Sequence, residues 1–306
     1  MNLFHKKDQY QGYNIYSMKK YVDKKRIIFT TIIVILIIIT LGFIIYYSVD
    51  TTIRLKCAKR FEQKLIEYES KQEELQKQER ERQAKIPKLT DEGKQNIKGI
   101  YKSETKRVFL TFDDGPSVNT ADVLDILKSN DIKATFFVLG TQVEKMPEMV
   151  KRAYQEGHYI ANHGYSHQYS QIYSSPETVL QEFNQCNSAV AKAIDVPEYN
   201  SHLFRFPGGS VGGKYANLKA EAVTLLEQNN IMHVDWNALT GDAEKSSPDE
   251  EYLMNNLQKT TQNKNSIVIL MHDAQAKRVT VEFLPKLIEF FQQQGYQFEN
   301  FYSIIK

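Results

Sequence analysis

Between Arg107 and the C-terminus, short runs rich in β-branched and aromatic residues alternate with longer amphipathic stretches, and this alternation restricts the fold more than any other feature. The runs are VFLTF, ATFFVL, HYIAN, LFRF, IMHVDW, SIVILMH and YQF, each with the length and composition of a strand. VLDILKSN and residues 143–156, 176–194, 215–228 and 278–294 have helical length and spacing. Strands joined through helices run parallel, so seven such units imply a parallel sheet covered by helices, either closed as a barrel or open and doubly wound. In both forms, side chains that do chemistry belong at the C-terminal ends of strands.

The unusual polar residues follow that rule. Asp113 and Asp114 end the first expected strand, His163 and His167 follow the third, and Arg205 lies in the fourth. Asp242 follows the fifth and His272 ends the sixth, so all are expected at one mouth.

Each group has a chemical and a structural reading. Adjacent carboxylates in FDDGP repel one another unless a cation or separate partners stabilise them, which points to a metal; an ordinary turn is the alternative. In NHGYSH the H-x-x-x-H spacing places both imidazoles on one face if the segment is a helical turn. Two His and one Asp leave coordination positions open for water and substrate, whereas a lone His pair is more often exposed or packed. Arg205, opening RFPGGS, can orient a carboxylate and lower its pKa, while Gly208 and Gly209 allow close backbone approach or simply make a loop. His272 is a candidate general acid with Asp242 favouring its protonated form, or else a satisfied core histidine.

Upstream lies a different kind of sequence. IIFTTIIVILIIITLGFIIYY, residues 27–47, is uncharged and long enough to cross a ~30 Å hydrocarbon core as a helix. Lys19, Lys20, Lys24, Lys25 and Arg26 precede it, which sets the N-terminus in the cytoplasm and the rest of the chain outside. A cleaved signal peptide is the alternative, but the run is longer than a signal core and no small-x-small site follows it. After it, EQKLIEYESKQEELQKQERERQ reads as a solvated helix or spacer; Gln72 and Glu79 interrupt the loose apolar seam that a coiled coil needs. The expected division is a cytoplasmic basic segment at 1–26, a transmembrane anchor at 27–47, a charged stalk or linker at 48–100 and one catalytic domain at 101–306.

With 39 basic and 37 acidic residues, the chain has no general attraction to nucleic acid, and no such partner is expected. Cys57 and Cys186 are its only cysteines, too few for a disulfide framework.

From about Arg107 to Tyr302 the sequence resembles the polysaccharide deacetylases of the NodB-homology type, carbohydrate esterase family 4. The resemblance rests on TFDDGP (111–116), HGYSH (163–167), RFPGG (205–209), GDA (241–243) and LMH (270–272), in the family's order. It implies a distorted (β/α)7 barrel. It also implies Asp113 as general base; Asp114, His163 and His167 as ligands of one divalent metal; and Arg205 as the group that orients Asp113. Asp242 would tune His272, the general acid, Leu270 would receive the acetate methyl, and the Gly208 N–H would contact the oxyanion. Zinc suits two His and one carboxylate, although cobalt, nickel or manganese occupy similar sites.

Three positions depart from the family pattern. Gly164 stands where Ser or Thr is usual, removing a loop-stabilising hydroxyl; Gly208 replaces a common aromatic; Ala243 replaces a common Trp. The expected activity is hydrolysis of N-acetyl groups from a cell-wall amino-sugar polymer. N-acetylglucosamine residues of peptidoglycan are the leading substrate, ahead of N-acetylmuramic acid residues or a surface poly-N-acetylglucosamine. A catalytically silent wall-binding module is the rival of another class, and retention of all seven candidate site residues argues against it. No protein partner is expected.

Overall fold

The structure, a computed structural model, describes residues 15–305, with side chains from residue 22 onward. Residues 1–14 of the expected basic segment, and the side chains of Lys19 and Lys20, lie outside the described residues. The chain divides into two compact units, Met1–Gln78 and Glu79–Lys306.

Helix α1 (Ile15–Ala84) contains the apolar run, whose residues are all exposed, and is long and apolar enough to cross a membrane. Its backbone groups are satisfied along its own axis. The hydroxyls of Thr30, Thr31 and Thr40 add bonds to the carbonyls of Arg26, Ile27 and Leu36 one turn earlier, so these polar atoms also need no outside partner. The stalk sequence continues the same helix to Ala84, where Pro87 follows shortly after.

The second unit starts with α2 (Asp91–Lys98), capped by the Thr90 side chain on the Gly93 N–H. Strand β1 (Arg107–Asp113) leads to α3 (Val118–Ser129), and β2 (Thr135–Val138) leads to α4 (Gly140–Lys145) and α5 (Pro147–Gln155). After β3 (Tyr159–Asn162) come the short α6 (Tyr169–Ile172) and α7 (Pro176–Ile194); β4 (Leu203–Phe204) is followed by α8 (Ala216–Gln228). The remainder is β5 (Met232–His233), β6 (Ala238–Leu239), α9 (Glu250–Thr261), β7 (Ser266–His272), α10 (Arg278–Gln293) and β8 (Gln297–Glu299).

Two expectations need correction. The helix expected over 143–156 is two helices, because Pro147 cannot donate to the preceding turn and starts a new one at its first position. Strand β6 and helix α9 were not anticipated: two residues of strand carry no readable period, so Asp242 follows the sixth strand rather than the fifth, and His272 ends the seventh.

All pairings are parallel, in the order β5, β4, β3, β2, β1, β7, β6, with β8 on β1. One edge of β1 is shared: β8 pairs with Arg107–Phe109 and β2 with Thr111–Asp113. Strands β5 and β6 end the path without closing it, so the distorted barrel expected from the sequence is a curled half-barrel. Alternation along β1 divides the core. Val108, Leu110 and Phe112 join the layer under α3, α7 and α10, while Phe109 packs on the opposite face with Phe137, Tyr159 and Val268. Ile97, Ile100, Phe301 and Ile305 fill that same face, so α2 and the linker residues after it are core; Ile97 and Ile100 fall within the span expected to be stalk. Register then sets the site: Thr111 pairs with Leu270 and Asp113 with His272, which puts all four on the inner face.

Candidate active site

Asp113 is the last residue of β1, and Asp114 adopts a left-handed conformation (φ 71°), which ends the strand's alternation and lets two consecutive carboxylates face one cleft. Gly115 is required next, because the Asp273 carboxyl lies where its Cβ would be. Asp273 in turn ties the two motifs together. Its N–H donates to the Asp113 carbonyl at 3.2 Å, its carbonyl accepts from Ser117 Oγ at 2.5 Å, and its Oδ2 accepts from Thr120 Oγ1 at 2.5 Å. Ser117 and Thr120 also form the capping box of α3. Burial pushes the Asp273 carboxyl up to about 7 against the Thr120 bond, with the Asp114 charge adding to the rise.

Asp113 is buried and its Oδ1 accepts from Arg205 Nη1 at 2.9 Å. Arg205 is fully buried and fixed on every side: Nη1 also donates to Thr111 Oγ1 (2.7 Å), Nε to the Val234 carbonyl (3.2 Å) and Nη2 to the Asp235 carbonyl (3.0 Å). Its guanidinium carbon lies 3.9 Å from the Phe137 ring centroid. Burial raises the Asp113 pKa overall, outweighing the Arg205 charge and bond, which lower it as expected.

His163 and His167 do not lie on a helical turn as the spacing suggested. Gly164 (φ 88°) and His167 (φ 57°) are left-handed, so the segment is a loop between β3 and α6. It nevertheless brings both rings to Asp114, whose Oδ1 is 3.5 Å from His163 Nε2 and 3.3 Å from His167 Nε2. One ligand atom from each of the three residues falls within 4.8 Å of the others. Asp114 Oδ1 is buried and has no hydrogen-bond partner, the condition of an oxygen awaiting a cation. His163 Nδ1 sits 2.8 Å from the Arg205 carbonyl, so that nitrogen carries the proton and Nε2 keeps its lone pair. Burial drives the His163 pKa down to about 3, which keeps the ring neutral. These residues fit a divalent metal.

On the other side of the cleft, His272 Nδ1 is 3.1 Å from Asp242 Oδ1, and the His272 N–H donates to Oδ2 at 2.8 Å. Thr280 Oγ1 donates to the same Oδ2 at 2.7 Å. Burial opposes charge on His272, but the bond to and charge of Asp242 outweigh it and push the imidazolium up to about 9. Asp242 moves the other way, lowered by those same contacts although burial opposes them.

A cavity of about 270 Å³ joins these groups, and its lining includes Asp113, Asp114, His163, His167, Asp242 and His272. Gly208 and Leu270 also line it, so of the residues expected from the sequence only Arg205 lies behind the wall rather than on it. Trp236 and Tyr169 add aromatic rings to the wall. Sequence reasoning did not place either. Trp236 lines the same cavity as Ala243, the position where an aromatic was missing. Tyr169 lies against Gly208: a Cβ there would stand 2.8 Å from the tyrosine oxygen, so any side chain at 208 has to displace it. Thr111, Thr280 and Glu182 were missed too. Glu182 had a signal, since it shares the buried face of α7 with Val179, Phe183 and Cys186 at helical spacing.

Residues 101–225 match the family described as polysaccharide deacetylase. A peptidoglycan-N-acetylglucosamine deacetylase of Bacillus cereus is 33% identical over 205 residues, covering 65% of this chain and 71% of its own length. The Bacillus subtilis protein YheN is 36% identical over 63% of this chain, and the chain spans 66% of YheN's length. Among solved structures, a Streptococcus mutans CE4 esterase superposes with a TM-score of 0.62 at 29% identity, covering 71% of this chain and 93% of that one. The catalytic domain of a peptidoglycan N-acetylglucosamine deacetylase from Eubacterium rectale gives 0.59 at 31% identity, with 65% and 90% covered.

Proposed function

The chain belongs to the polysaccharide deacetylase family, hydrolases acting on N-acetyl amide bonds, and from that premise we propose that it removes acetyl groups from N-acetylglucosamine residues of peptidoglycan with the help of one divalent metal. The observation that carries this reading is the convergence on one cavity of a three-residue cation site, a carboxylate held by a buried arginine and an imidazolium held by a buried aspartate.

A metal held by Asp114, His163 and His167 would supply Lewis acidity toward the acetyl carbonyl and the attacking water. Asp113, fixed by Arg205, takes the proton from that water. The Gly208 N–H donates to the developing oxyanion, a contact whose loss typically costs ~3 kcal/mol in such sites. His272, kept protonated by Asp242, gives its proton to the leaving amine, so acetate and a free amino sugar result. Leu270 and Trp236 wall the space for the acetyl methyl. Zinc matches the donor set best.

The apolar part of α1 is proposed as an uncleaved membrane anchor, with the basic flank in the cytoplasm and the enzyme outside, where it meets the wall glycan. The charged part of α1 as far as Gln78 serves as a spacer and the unit from Glu79 onward as the catalytic domain. Acetate release by the full-length protein in detergent, on a panel of purified acetylated glycans with and without a chelator, tests the proposal. Release from peptidoglycan that the chelator abolishes and zinc restores is expected. Release from poly-N-acetylglucosamine alone would move the substrate, and release insensitive to chelation would remove the metal.

A further inference from the structure

The loop that carries His163 and His167 has no ladder of its own, and its central N–H groups need partners from elsewhere. Glu182, on α7, supplies them. The Tyr165 and Ser166 N–H groups donate to its Oε2 at 2.6 and 2.7 Å, and Ser166 Oγ donates to Oε1 at 2.7 Å. The carboxylate is buried (6% exposed) and has no ion-pair partner among the described residues. A buried carboxylate is costly unless its oxygens are satisfied, and here every side-chain bond it receives comes from this loop.

Its position coincides with the departure at Gly164. That residue holds φ 88°, and a Cβ there would stand 3.1 Å from Ile172 Cδ1 and 3.4 Å from Glu182 Oε2. The loop is therefore closed around a residue without a side chain, and the carboxylate stands where it meets the next two N–H groups. We propose that Glu182 is a positioning residue for the metal ligands: it takes over the anchoring that a hydroxyl at 164 would provide and sets the reach of His163 and His167 toward Asp114. Two rings on a loop converge on one ion only if the three residues between them keep one conformation, and Glu182 binds two of the intervening N–H groups with a single oxygen. This inference rests on the metal reading under Proposed function.

The test is zinc affinity of the full-length protein in detergent, measured by competition with a chromogenic chelator, for wild type, Glu182→Ala, Glu182→Gln and Ser166→Ala. Groups that hold ligands in place typically change metal affinity 10–100-fold, so Glu182→Ala should weaken zinc binding by roughly that factor. Glu182→Gln keeps an acceptor oxygen at the same reach and should fall between wild type and Ala, and Ser166→Ala, which removes one bond of three, should lose less than Glu182→Ala. Wild-type zinc affinity in folded Glu182→Ala overturns the inference. So does a lower thermal midpoint with zinc affinity unchanged, since that is what packing alone would produce. If Glu182→Ala does not fold, unchanged affinity in both Glu182→Gln and Ser166→Ala overturns it. A wild-type protein that binds no divalent metal overturns the metal reading itself, and this inference with it.

Discussion

The carboxylates of Asp113 and Asp114, consecutive in the chain, are held differently: Asp113 Oδ1 accepts from Arg205 at 2.9 Å with its Oδ2 3.9 Å from His163 Nε2, whereas Asp114 Oδ1 faces the Nε2 atoms of His163 and His167 at 3.5 and 3.3 Å. Asp114→Ala should therefore lose metal and activity together. Asp113→Asn keeps the ligand set and should lose roughly 10²–10⁴-fold in kcat with metal still bound, the usual contribution of a general base. Elemental analysis and acetate release on the two variants check this; metal lost from Asp113→Asn and retained by an active Asp114→Ala would exchange the roles.

His272 pairs with Asp242 and is not one of the Asp114, His163, His167 cluster. His272→Ala should lower kcat while metal content stays at the wild-type value. Metal loss from folded His272→Ala would contradict a proton-donating role.

Activity should be bell-shaped in pH. The acid limb follows protonation of Asp113, which burial raises above the ordinary carboxylate range; the alkaline limb follows loss of the His272 proton near pH 9. In His272→Gln the alkaline limb should vanish from the residual rate; its persistence at the same pH would assign it to another group.

The same imidazole links stability to pH. Its folded pKa of about 9 exceeds the ordinary 6.5, so its contribution is complete below 6.5 and lost as pH rises through 9. At about 1.4 kcal/mol per unit, the wild type should lose up to ~3 kcal/mol across that window relative to His272→Gln. Chemical denaturation of both proteins at pH 6 and 10 measures the difference, and equal losses would show that the Asp242 pairing does not stabilise the fold.

Gly208 (φ 74°) and Tyr169 compete for one space. Gly208→Ala should reduce kcat/KM, because the added methyl forces the tyrosine oxygen aside and strains a left-handed backbone by ~1 kcal/mol or more. Tyr169→Phe in the same background removes the closest atom and should restore part of the loss. A double-mutant cycle with purely additive effects would show that the contact does not matter.

The order of chemical groups along the chain and their placement at strand ends were legible in the sequence, because strand and helix periods are local properties and parallel βα units present their C-terminal ends together. The apolar run within α1 and the limits of α7 were equally plain, since each depends only on neighbours within a few turns. The two-residue β6 carried no such period, and the break at Met146 was obscured by apolar residues continuing across it. Only the tertiary structure decided that NHGYSH is a loop, because its shape depends on a carboxylate from α7 rather than on its own spacing. Whether Asp113 is raised or lowered was likewise beyond the sequence: Arg205 could be recognised as its partner, but the depth at which the pair is buried, which determines the sign, is set by long-range packing. Trp236 and Tyr169 reach the cavity wall for the same reason. Long-range packing brings Tyr169 against Gly208 and Trp236 onto the lining that Ala243 shares, where no local pattern in the chain marks them.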